Sequence, residues 1–469
     1  MCKLLWAGIA FLAQPLPVAQ IPTRARTPQG DYISWREHLI DDQQLNGGIP
    51  IRGGDGVQMA DFDKDGHLDI VSVHEDSSHV RLAFGSNNPD RWTLATLAEG
   101  KEAAAAEDAA VADLNGDGWT DIIVACELDH LIYFQNPGSS AAVRAGKWPR
   151  VAPASARNRG SFIRVFFADL NRDGRPEVTA ANKGEQLPTI NPATQKDPKL
   201  KPKEISWFAP PRNPLDANGW KENVLARVSI PINVQPADLD GDGDLDLLGG
   251  ARGEGRCLIF ENVTPKGGAI AFKEHPFRTT PHKAVYAFMA DFADFNEDGR
   301  LDAVMNESRT NLAWYEQPKS FDQPWIVHSI GTVAPDNATG IRIADINNDG
   351  RPDVITGGYS QDPRDRDAPP LTPDVVAGRI AWFENPGDVT KPHPAKQWIR
   401  HDISRTRRGM YDAFLARDID GDGDVDFVAT RGNSGNFDGV FWLEQVRSKQ
   451  PAKSFQPARA IESAHLPLP

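Results

Sequence analysis

The sequence predicts an all-β fold: a seven-bladed β-propeller with four-stranded blades, whose ring is closed by an N-terminal strand that pairs into the last blade. The first observation is an acidic motif, D-x-[DN]-x-D-G-x-x-[DE], which occurs seven times at intervals of 51 to 73 residues. Its first acids are Asp61, Asp113, Asp169, Asp238, Asp294, Asp345 and Asp418. The second is a strand led by Trp or Phe, which also occurs seven times. These strands begin at Trp35, Trp92, Trp148, Trp220, Phe272, Trp325 and Trp398. Long repeats that each supply several short strands are typical of propeller blades.

Each repeat contains four strand signals in a fixed order. An alternating apolar stretch precedes the motif, and a β-branched run such as Asp121-Ile-Ile-Val-Ala follows it. An aromatic strand that ends in an acid or amide comes next, as in LIYFQN from Leu131, and the Trp-led strand comes last. Short β-branched and aromatic runs between turn residues predict strands. Each repeat is therefore interpreted as one blade.

The N-terminal strand WREHLI, from Trp35 to Ile40, matches the Trp-led strands at Trp325 and Trp398. No such strand follows Val446, so the N-terminal copy is predicted to complete the last blade and to leave no open sheet edge. The predicted organisation is a signal peptide at 1–20, a linker at 21–34, the propeller at 35–445 and a C-terminal tail at 446–469. A lysine followed by a short apolar run favours the signal peptide, and thus a secreted or periplasmic protein. A buried N-terminal segment is the alternative.

Composition excludes several classes of partner. The chain has 469 residues, 40% of them hydrophobic, and a formal net charge of −14, which argues against nucleic-acid binding. No apolar stretch is long enough to predict a membrane span. We expect a monomer. Cys126 and Cys257 fall in different blades, so they are predicted to be free thiols.

The acidic motif has the donor set of a calcium loop. Positions 1, 3, 5 and 9 carry oxygen side chains in every copy, and position 6 is always Gly. Ca²⁺ takes six to eight oxygen ligands, and the backbone carbonyl of position 7 can supply another. An EF-hand is excluded because position 12 is never acidic. An acidic turn without an ion is the remaining alternative.

These units resemble FG-GAP/VCBS repeats, the calcium-loop blades also found in integrin α-subunit propellers. The resemblance covers residues 35–445, although the Phe-Gly and Gly-Ala-Pro signatures are mostly missing and Phe84-Gly85 is the nearest trace. It implies up to seven structural calcium ions, whose charge would offset the net −14. The implied metal ligands are Asp61, Asp63, Asp65, Asp69, Asp113, Asn115, Asp117, Asp121, Asp169, Asn171, Asp173, Glu177, Asp238, Asp240, Asp242, Asp246, Asp294, Asn296, Asp298, Asp302, Asp345, Asn347, Asp349, Asp353, Asp418, Asp420, Asp422 and Asp426.

Function is expected on the face opposite these loops, because a site repeated in every blade is more typical of structure than of catalysis. Two insertions, 183–204 and 360–379, lie on that face, and loops often carry binding residues. Polar residues that differ between blades surround the mouth there. The candidate catalytic residues are His74, His130, Tyr359 and Arg431. The candidate ligand-binding residues are Glu75, Asp129, Lys183, Arg252, Arg309 and Tyr411. Glu107, Asp108 and Arg164 also fall there.

Two functions fit this pattern. The first is a calcium-binding module that binds a carbohydrate or a protein. The second is a carbohydrate lyase or dehydratase acting by β-elimination, since the fold resembles those of certain polysaccharide lyases and of aldos-2-ulose dehydratase. No catalytic motif of those enzymes is present, so this alternative rests on the fold. By contrast, His38, His275, His328 and His401 recur at one blade position, and so do Trp207, Trp314, Trp382 and Trp442. Their recurrence predicts structural roles.

Overall fold

A computed structural model describes residues 16–184, 201–285, 287–360, 375–387, 397–460 and 462–468. In these ranges the chain forms seven sheets, each with four antiparallel strands, and two of them gain a short fifth strand. The four strands are consecutive in six sheets, and the seventh takes its fourth strand from the N-terminus. This confirms the predicted all-β, seven-bladed propeller.

The strands of each blade are given from the axis outward. Blade one comprises Gly54–Ala60, Asp69–His74, His79–Phe84 and Thr93–Glu99. Blade two comprises Ala106–Ala112, Asp121–Cys126, Leu131–Phe134 and Arg150–Val151. Blade three comprises Ser161–Ala168, Glu177–Gly184, Lys203–Ala209 and Lys221–Val228. Blade four comprises Pro231–Ala237, Asp246–Ala251, Arg256–Asn262 and Phe272–Phe277. Blade five comprises Ala290–Ala293, Asp302–Asn306, Asn311–Glu316 and Trp325–Thr332, with Thr279–Thr280 added in parallel. Blade six comprises Gly340–Ala344, Asp353–Gly357, Gly378–Glu384 and Ile399–Thr406. Blade seven comprises Phe414–Arg417, Asp426–Arg431, Gly439–Ser448 and the N-terminal strand Tyr32–Asp42, with Phe455–Gln456 added in parallel.

The hydrophobic core lies between the blades. The described residues form a cluster between each pair of neighbouring sheets, including blades seven and one, where Val428 and Trp442 meet Val57 and Ile70. The second strands are buried on both faces because they lie inside the blade, which explains their runs of Val and Ile. Fourth strands such as Lys221–Val228 lie at the outer edge and are largely exposed or half-buried.

The recurrent His and Trp residues form a repeated stack within blades five, six and seven. In blade six, the rings of Trp382 and His401 stack with centroids 4.4 Å apart, and His401 Nε2 lies 2.8 Å from the Glu384 carboxylate. The equivalent groups are Trp314, His328 and Glu316 in blade five, and Trp442, His38 and Glu444 in blade seven. This confirms the predicted structural role for these three pairs. In blade four, His275 contacts Glu261 but faces Ile259, and in blade three Trp207 faces Asn223, so neither forms the stack.

Both ends of the described chain pack on blades six and seven. Ala19 and Ala25 are buried in the core between these blades, and the backbone N–H of Val18 donates to the carbonyl of Leu466 over 3.1 Å. Residues 18–34, assigned from sequence to the end of a signal peptide and a linker, therefore contact the C-terminal tail. Residues 1–15 lie outside the described part of the chain.

Helices are few and short. The described residues contain one α-helix, Ser140–Arg144, and 3-10 turns at Val18–Gln20, Gly100–Ala103, Ala154–Ala156, Arg252–Glu254 and Gly435–Phe437. None of these described helices has the length and apolar character needed to cross a membrane.

Candidate metal loops and the opposite face

The acidic motif forms the same loop in all seven blades, between the first and second strands. One oxygen of the first Asp accepts the backbone N–H of the Gly at position 6, as between Asp113 and Gly118 at 2.7 Å. That Gly has a φ of +84° to +90° in every loop, which L side chains rarely adopt. The invariant Gly is thus explained by backbone conformation.

Three loops bring their acids together as a metal site requires. In each of loops one, four and seven, the acids at positions 1, 3 and 9 place one oxygen apiece within 4.8 Å of one another. Oxygens that bind Ca²⁺ lie 2.3–2.6 Å from the ion, so this spacing fits ligands around a single ion. These are the loops with Asp at position 3. The sets are Asp61, Asp63 and Asp69; Asp238, Asp240 and Asp246; and Asp418, Asp420 and Asp426.

The other four loops carry Asn at position 3. In loop two, the amide Nδ2 of Asn115 donates to the Asp117 carboxylate over 2.8 Å, and its Oδ1 accepts the backbone N–H of Asp117. Loops three, five and six repeat both bonds. The amide thus replaces one negative charge in these loops while it keeps an oxygen near the acids.

The acid at position 9 is buried in every blade and ties the loop to the third strand. Asp121 Oδ2 accepts the N–H of Leu114 over 3.0 Å, and Oδ1 accepts the N–H of Asn136 over 2.8 Å. Burial raises the pKa of this carboxyl to about 6 and that of Asp426, its equivalent in blade seven, to about 8. Position 9 therefore has a hydrogen-bonding role in addition to any metal binding.

Blade three departs from this arrangement at two residues together. Its acid is Glu177, whose carboxylate accepts the N–H of Leu170 over 3.1 Å. The residue aligned with Asn136 is Pro210, two positions after Phe208, and proline has no N–H to donate. The longer acid thus stands in the one blade where the second donor is missing.

Basic residues and extra acids make the loops unequal. Arg144, in the helix of blade two, forms ion pairs with Asp63 and Asp65 of loop one. Loops four and seven carry an additional acid at position 7, Asp244 and Asp424, which pair with Arg172 at 3.4 Å and Arg447 at 3.2 Å. Even with these arginines counted, their five acids outnumber the four of loop one. Loops four and seven are therefore the most acidic.

The four candidate catalytic residues lie in separate environments. His74 is fully buried, with Nε2 3.1 Å from Ser72 Oγ, and burial lowers its pKa to about 3. His130 is buried with Nε2 2.9 Å from the carbonyl oxygen of Glu102. Tyr359 is half-buried and pairs through its backbone with Met410. The fourth, Arg431, is buried in ion pairs with two acids. These are Glu37 at 3.0 Å and Glu462 at 2.6 Å.

Part of the candidate ligand-binding set does come together. Asp129 lines a depression of about 690 Å³ between blades two and three, and Lys183 forms an ion pair with Glu127 in its wall. The other residues that line it are Leu128, Asn158, Arg159, Gly160, Asn182, Lys203 and Glu204. Elsewhere, Arg252 and Arg309 are exposed, while Tyr411 is buried with its hydroxyl 3.3 Å from Thr406 Oγ1. Within the two insertions, residues 185–200 and 361–374 lie outside the described part of the chain.

A second acidic cluster lies at the end of the first strands opposite the loops. Asp55, Glu75 and Glu107 each place a carboxylate oxygen within 4.8 Å of the others. Burial and neighbouring acids raise the pKa of Asp55 well above its usual range and that of Glu107 to about 8. Asp412 is also buried nearby. Sequence reasoning named Glu75 and Glu107 but missed Asp55 and Asp412.

The missed acids had a detectable signal. Asp55, Glu107 and Asp412 each stand six residues before the first acid of their blade's loop, at one shared repeat position. The blades that carry them are one, two and seven, which are neighbours in the ring. Aligning the first strands, as well as the loops, would have shown the acids side by side.

Comparison with known proteins agrees with the repeat assignment. The family model described as "FG-GAP-like repeat" matches residues 53–124 and 294–356. No curated protein matches the chain significantly.

Solved structures with similar folds are distant. BBS1N in complex with ARL6DN, in a crystal soaked with lead, is 8% identical with a TM-score of 0.44, over 90% of this chain and 98% of that one. The S. cerevisiae core factor is 11% identical with a TM-score of 0.43, over 90% of this chain and 62% of that one. Both TM-scores lie below 0.5, so the assignment rests on the repeats and the sheets. The chain is a seven-bladed β-propeller, and two of its segments, one across blades one and two and one across blades five and six, match the FG-GAP-like repeat.

Proposed function

We propose that this chain is a secreted or periplasmic calcium-binding propeller that binds a carbohydrate in the depression between blades two and three. The observation that carries the proposal is the set of polar side chains that line this depression, on the face opposite the acidic loops. A propeller of FG-GAP-like repeats is a scaffold for binding and interaction, and ligand sites in such scaffolds are concave with a few placed polar groups.

The lining side chains are held in place by their neighbours. Arg159 forms ion pairs with Glu204, at 3.0 Å, and with Glu222. Asp129 Oδ1 accepts the backbone N–H of Asn158 over 2.8 Å. The Asn182 amide donates to the carbonyl of Arg159 over 3.1 Å. Fixed planar groups cost less ordering entropy when a ligand binds.

Their chemistry suits a polyhydroxylated ligand. Sugar hydroxyls both donate and accept hydrogen bonds, and this depression offers carboxylate acceptors, guanidinium and ammonium donors, and an amide that does both. Both signs of charge are present: Asp129 and Glu204 are acidic, and Arg159 and Lys203 are basic. A uronate or a neutral oligosaccharide is therefore the ligand class we expect.

Calcium would act at a distance from this ligand. The residues that would hold it are those at positions 1, 3, 5 and 9 of the loops, at the opposite ends of the first and second strands. The ion would supply charge neutralisation and would hold the two strands in register. Loops four and seven, as the most acidic, are expected to bind it most tightly.

A sugar panel tests the ligand proposal. Isothermal titration calorimetry and thermal shift, in excess Ca²⁺, are run with neutral oligosaccharides, uronates and keto-sugars. We expect one class to bind, with at least tenfold weaker affinity in Asp129→Asn and Arg159→Lys. Lys221→Ala, an exposed cation on the outer strand of blade three, is the matched control and should bind like the wild type.

Three results would contradict the proposal. One is the absence of any saturable sugar binding, and another is equal affinity in all three variants. The third is growth of ultraviolet absorbance from an unsaturated product, which would identify a lyase instead. N-terminal sequencing of the exported protein tests the signal peptide at 1–20 separately.

A further inference from the structure

Two acids of loop one already hold a cation that the chain itself supplies. Arg144 Nε donates to Oδ2 of Asp63, at position 3, and Arg144 Nη2 donates to Oδ2 of Asp65, at position 5, over 2.7 Å. The Oδ1 atoms of these acids accept backbone N–H groups within the loop, of Asp65 at 3.2 Å and of His67 at 2.9 Å. Every carboxylate oxygen at positions 3 and 5 of loop one is therefore engaged.

The arginine is held over the loop by its surroundings. It ends the helix Ser140–Arg144, which lies between the third and fourth strands of blade two. Val143, the preceding residue, is fully buried in the core between blades one and two. The Arg144 guanidinium also lies over the Phe84 ring of blade one, 5.2 Å from its centroid. The helix thus carries a positive charge from one blade to the acidic loop of its neighbour.

The acid at position 3 of loop one needs a positive charge beside it. The Asp63 side chain is fully buried, and Ser140 contributes only a hydroxyl, 3.4 Å from its carboxylate. A buried carboxylate left without its cation is strongly destabilising. Across the residues that the structure describes, Arg144 is the one basic side chain that pairs with Asp63. Arg144, or an ion in its place, therefore supplies the balancing charge.

The other loops keep their arginines away from position 3. In loops four and seven, Arg172 and Arg447 pair with the acid at position 7, from which an ion is expected to take the backbone carbonyl. In loops five and six, Arg300 and Arg351 pair with the acid at position 5 alone. Within the described ranges, loop one is thus the loop in which one cation holds the acids at both positions 3 and 5.

A guanidinium and a divalent ion cannot share these oxygens. Ca²⁺ needs its ligand oxygens 2.3–2.6 Å away, and a guanidinium nitrogen lies at nearly the same distance from an ionised oxygen. Like charges at such separations repel strongly. Arg144 has to leave before an ion takes both Oδ2 atoms. The free energy of its ion pairs is then subtracted from that of ion binding, which is negative coupling between two ligands.

We propose, on the basis of the calcium binding proposed above, that Arg144 competes with Ca²⁺ for loop one. This loop fills only after loops four and seven, and one side chain outside the loop sets that order. At low calcium, Arg144 supplies the charge and holds blade two to loop one. At high calcium, the ion replaces it. Removal of the arginine charge therefore strengthens a calcium site.

Anomalous diffraction shows which loops are filled. Crystals of the wild type and of Arg144→Gln are soaked in the lowest MnCl₂ concentration that gives peaks at loops four and seven of the wild type. We expect no peak at loop one of the wild type, and a peak there in Arg144→Gln that matches those at loops four and seven. A full peak at loop one of the wild type, or none there in the variant, would overturn the competition alone. No peak at any loop of either protein would contradict the calcium binding itself, and the competition with it.

Metal content in solution provides a second test. Both proteins are dialysed to equilibrium against a series of Ca²⁺ concentrations, and bound calcium is measured by mass spectrometry. Arg144→Gln should bind one more ion per chain where loops four and seven are filled, with at least tenfold higher affinity at loop one. Arg157→Gln is the matched control, because Arg157 is an exposed arginine that donates to the carbonyl of Ala152 and should leave binding unchanged. A misfolded variant would lose ions, so a gain cannot come from lost structure. Equal calcium content in Arg144→Gln and the wild type at every concentration would contradict the competition.

Discussion

The side-chain amide of Asn262 in blade four donates to the main-chain carbonyl of Leu170, 2.8 Å away in the acidic loop of blade three. The same bond joins the third strand of three other blades to the loop of the preceding blade. These pairs are Asn136 with Phe62, Gln317 with Leu239, and Gln445 with Ile346. In these four blades, the amide that ends the aromatic strand thus links its blade to the loop of the preceding one. The equivalent Asn385 of blade six instead donates to the carbonyl of Pro352 in its own blade.

Loss of this link should destabilise the ring. Asn262→Ala leaves the buried carbonyl of Leu170 without its partner, and an unpaired buried polar group costs about 1–3 kcal/mol. We expect the free energy of unfolding to fall by about that amount, measured from urea midpoints at constant calcium. Asn218→Ala, an exposed amide in blade three, is the matched control. Equal losses in the two variants would contradict the link.

Chelation should lower the melting temperature. Without metal, the carboxylates of loops one, four and seven repel across distances below 4.8 Å, whereas an ion that binds only the folded chain stabilises it by mass action. We expect the melting temperature in EDTA to be lower by several degrees and to be restored by Ca²⁺ in a concentration-dependent manner. Asp240→Asn, in the highly acidic loop four, should reduce the calcium-dependent gain, whereas Asp216→Asn, an exposed acid outside the loops, should not. An EDTA melting curve that matches the calcium curve would exclude a structural role for the ion.

The Gly at position 6 should resist replacement for reasons of backbone conformation. Gly299 has a φ of +84°, and a Cβ built there meets no atom within 4 Å, so steric clash does not contribute. Gly299→Ala should therefore lose about 1–2 kcal/mol of stability, the cost of the left-handed region for an L residue. Gly299→Asn is the matched comparison, because Asn tolerates positive φ better, and should lose less. A larger loss for Asn than for Ala, measured in urea, would show that some other property of this Gly matters.

The sequence predicted what repeats and missed what differs between blades. The loop and its Gly recur at fixed spacing, and so do Trp382 and His401, so periodicity indicated the loop and the structural roles of these two residues. Their stacking on one another was seen only in the fold. Arg431 was a candidate catalytic residue by position, yet it is buried against Glu37 and Glu462, which come from the two ends of the chain. Such partners depend on how the ring closes, and local patterns carry no signal for them.

The buried acids at the first strands, opposite the loops, show the same limit. Asp55 and Asp412 are far apart in the chain and become neighbours only because blade seven packs against blade one. Likewise, the amide of Asn262 looks like the end of a strand in sequence, and its partner in another blade is visible only in the fold.

Asp438 should make stability depend on pH in a predictable direction. Its side chain is fully buried in blade seven, and its carboxylate accepts the backbone N–H groups of Gly53, at 2.9 Å, and of Ser434. Burial raises its pKa from 3.8 to about 6. Between pH 3.8 and about 6 the folded state keeps a proton that the unfolded state releases, so stability falls as the pH rises through this window. The stabilisation that comes from the protonated Asp438 is therefore complete below about pH 4. It is lost as the pH rises through 6, by an amount on the order of 3 kcal/mol.

Asp438→Asn cannot titrate, so its free energy of unfolding should fall less than that of the wild type between pH 4 and pH 7. Urea midpoints taken in EDTA, to remove metal effects, measure the difference, and Asp216→Asn, an exposed acid, should follow the wild type. Parallel pH profiles for the wild type and Asp438→Asn would show that this carboxyl does not titrate in that range.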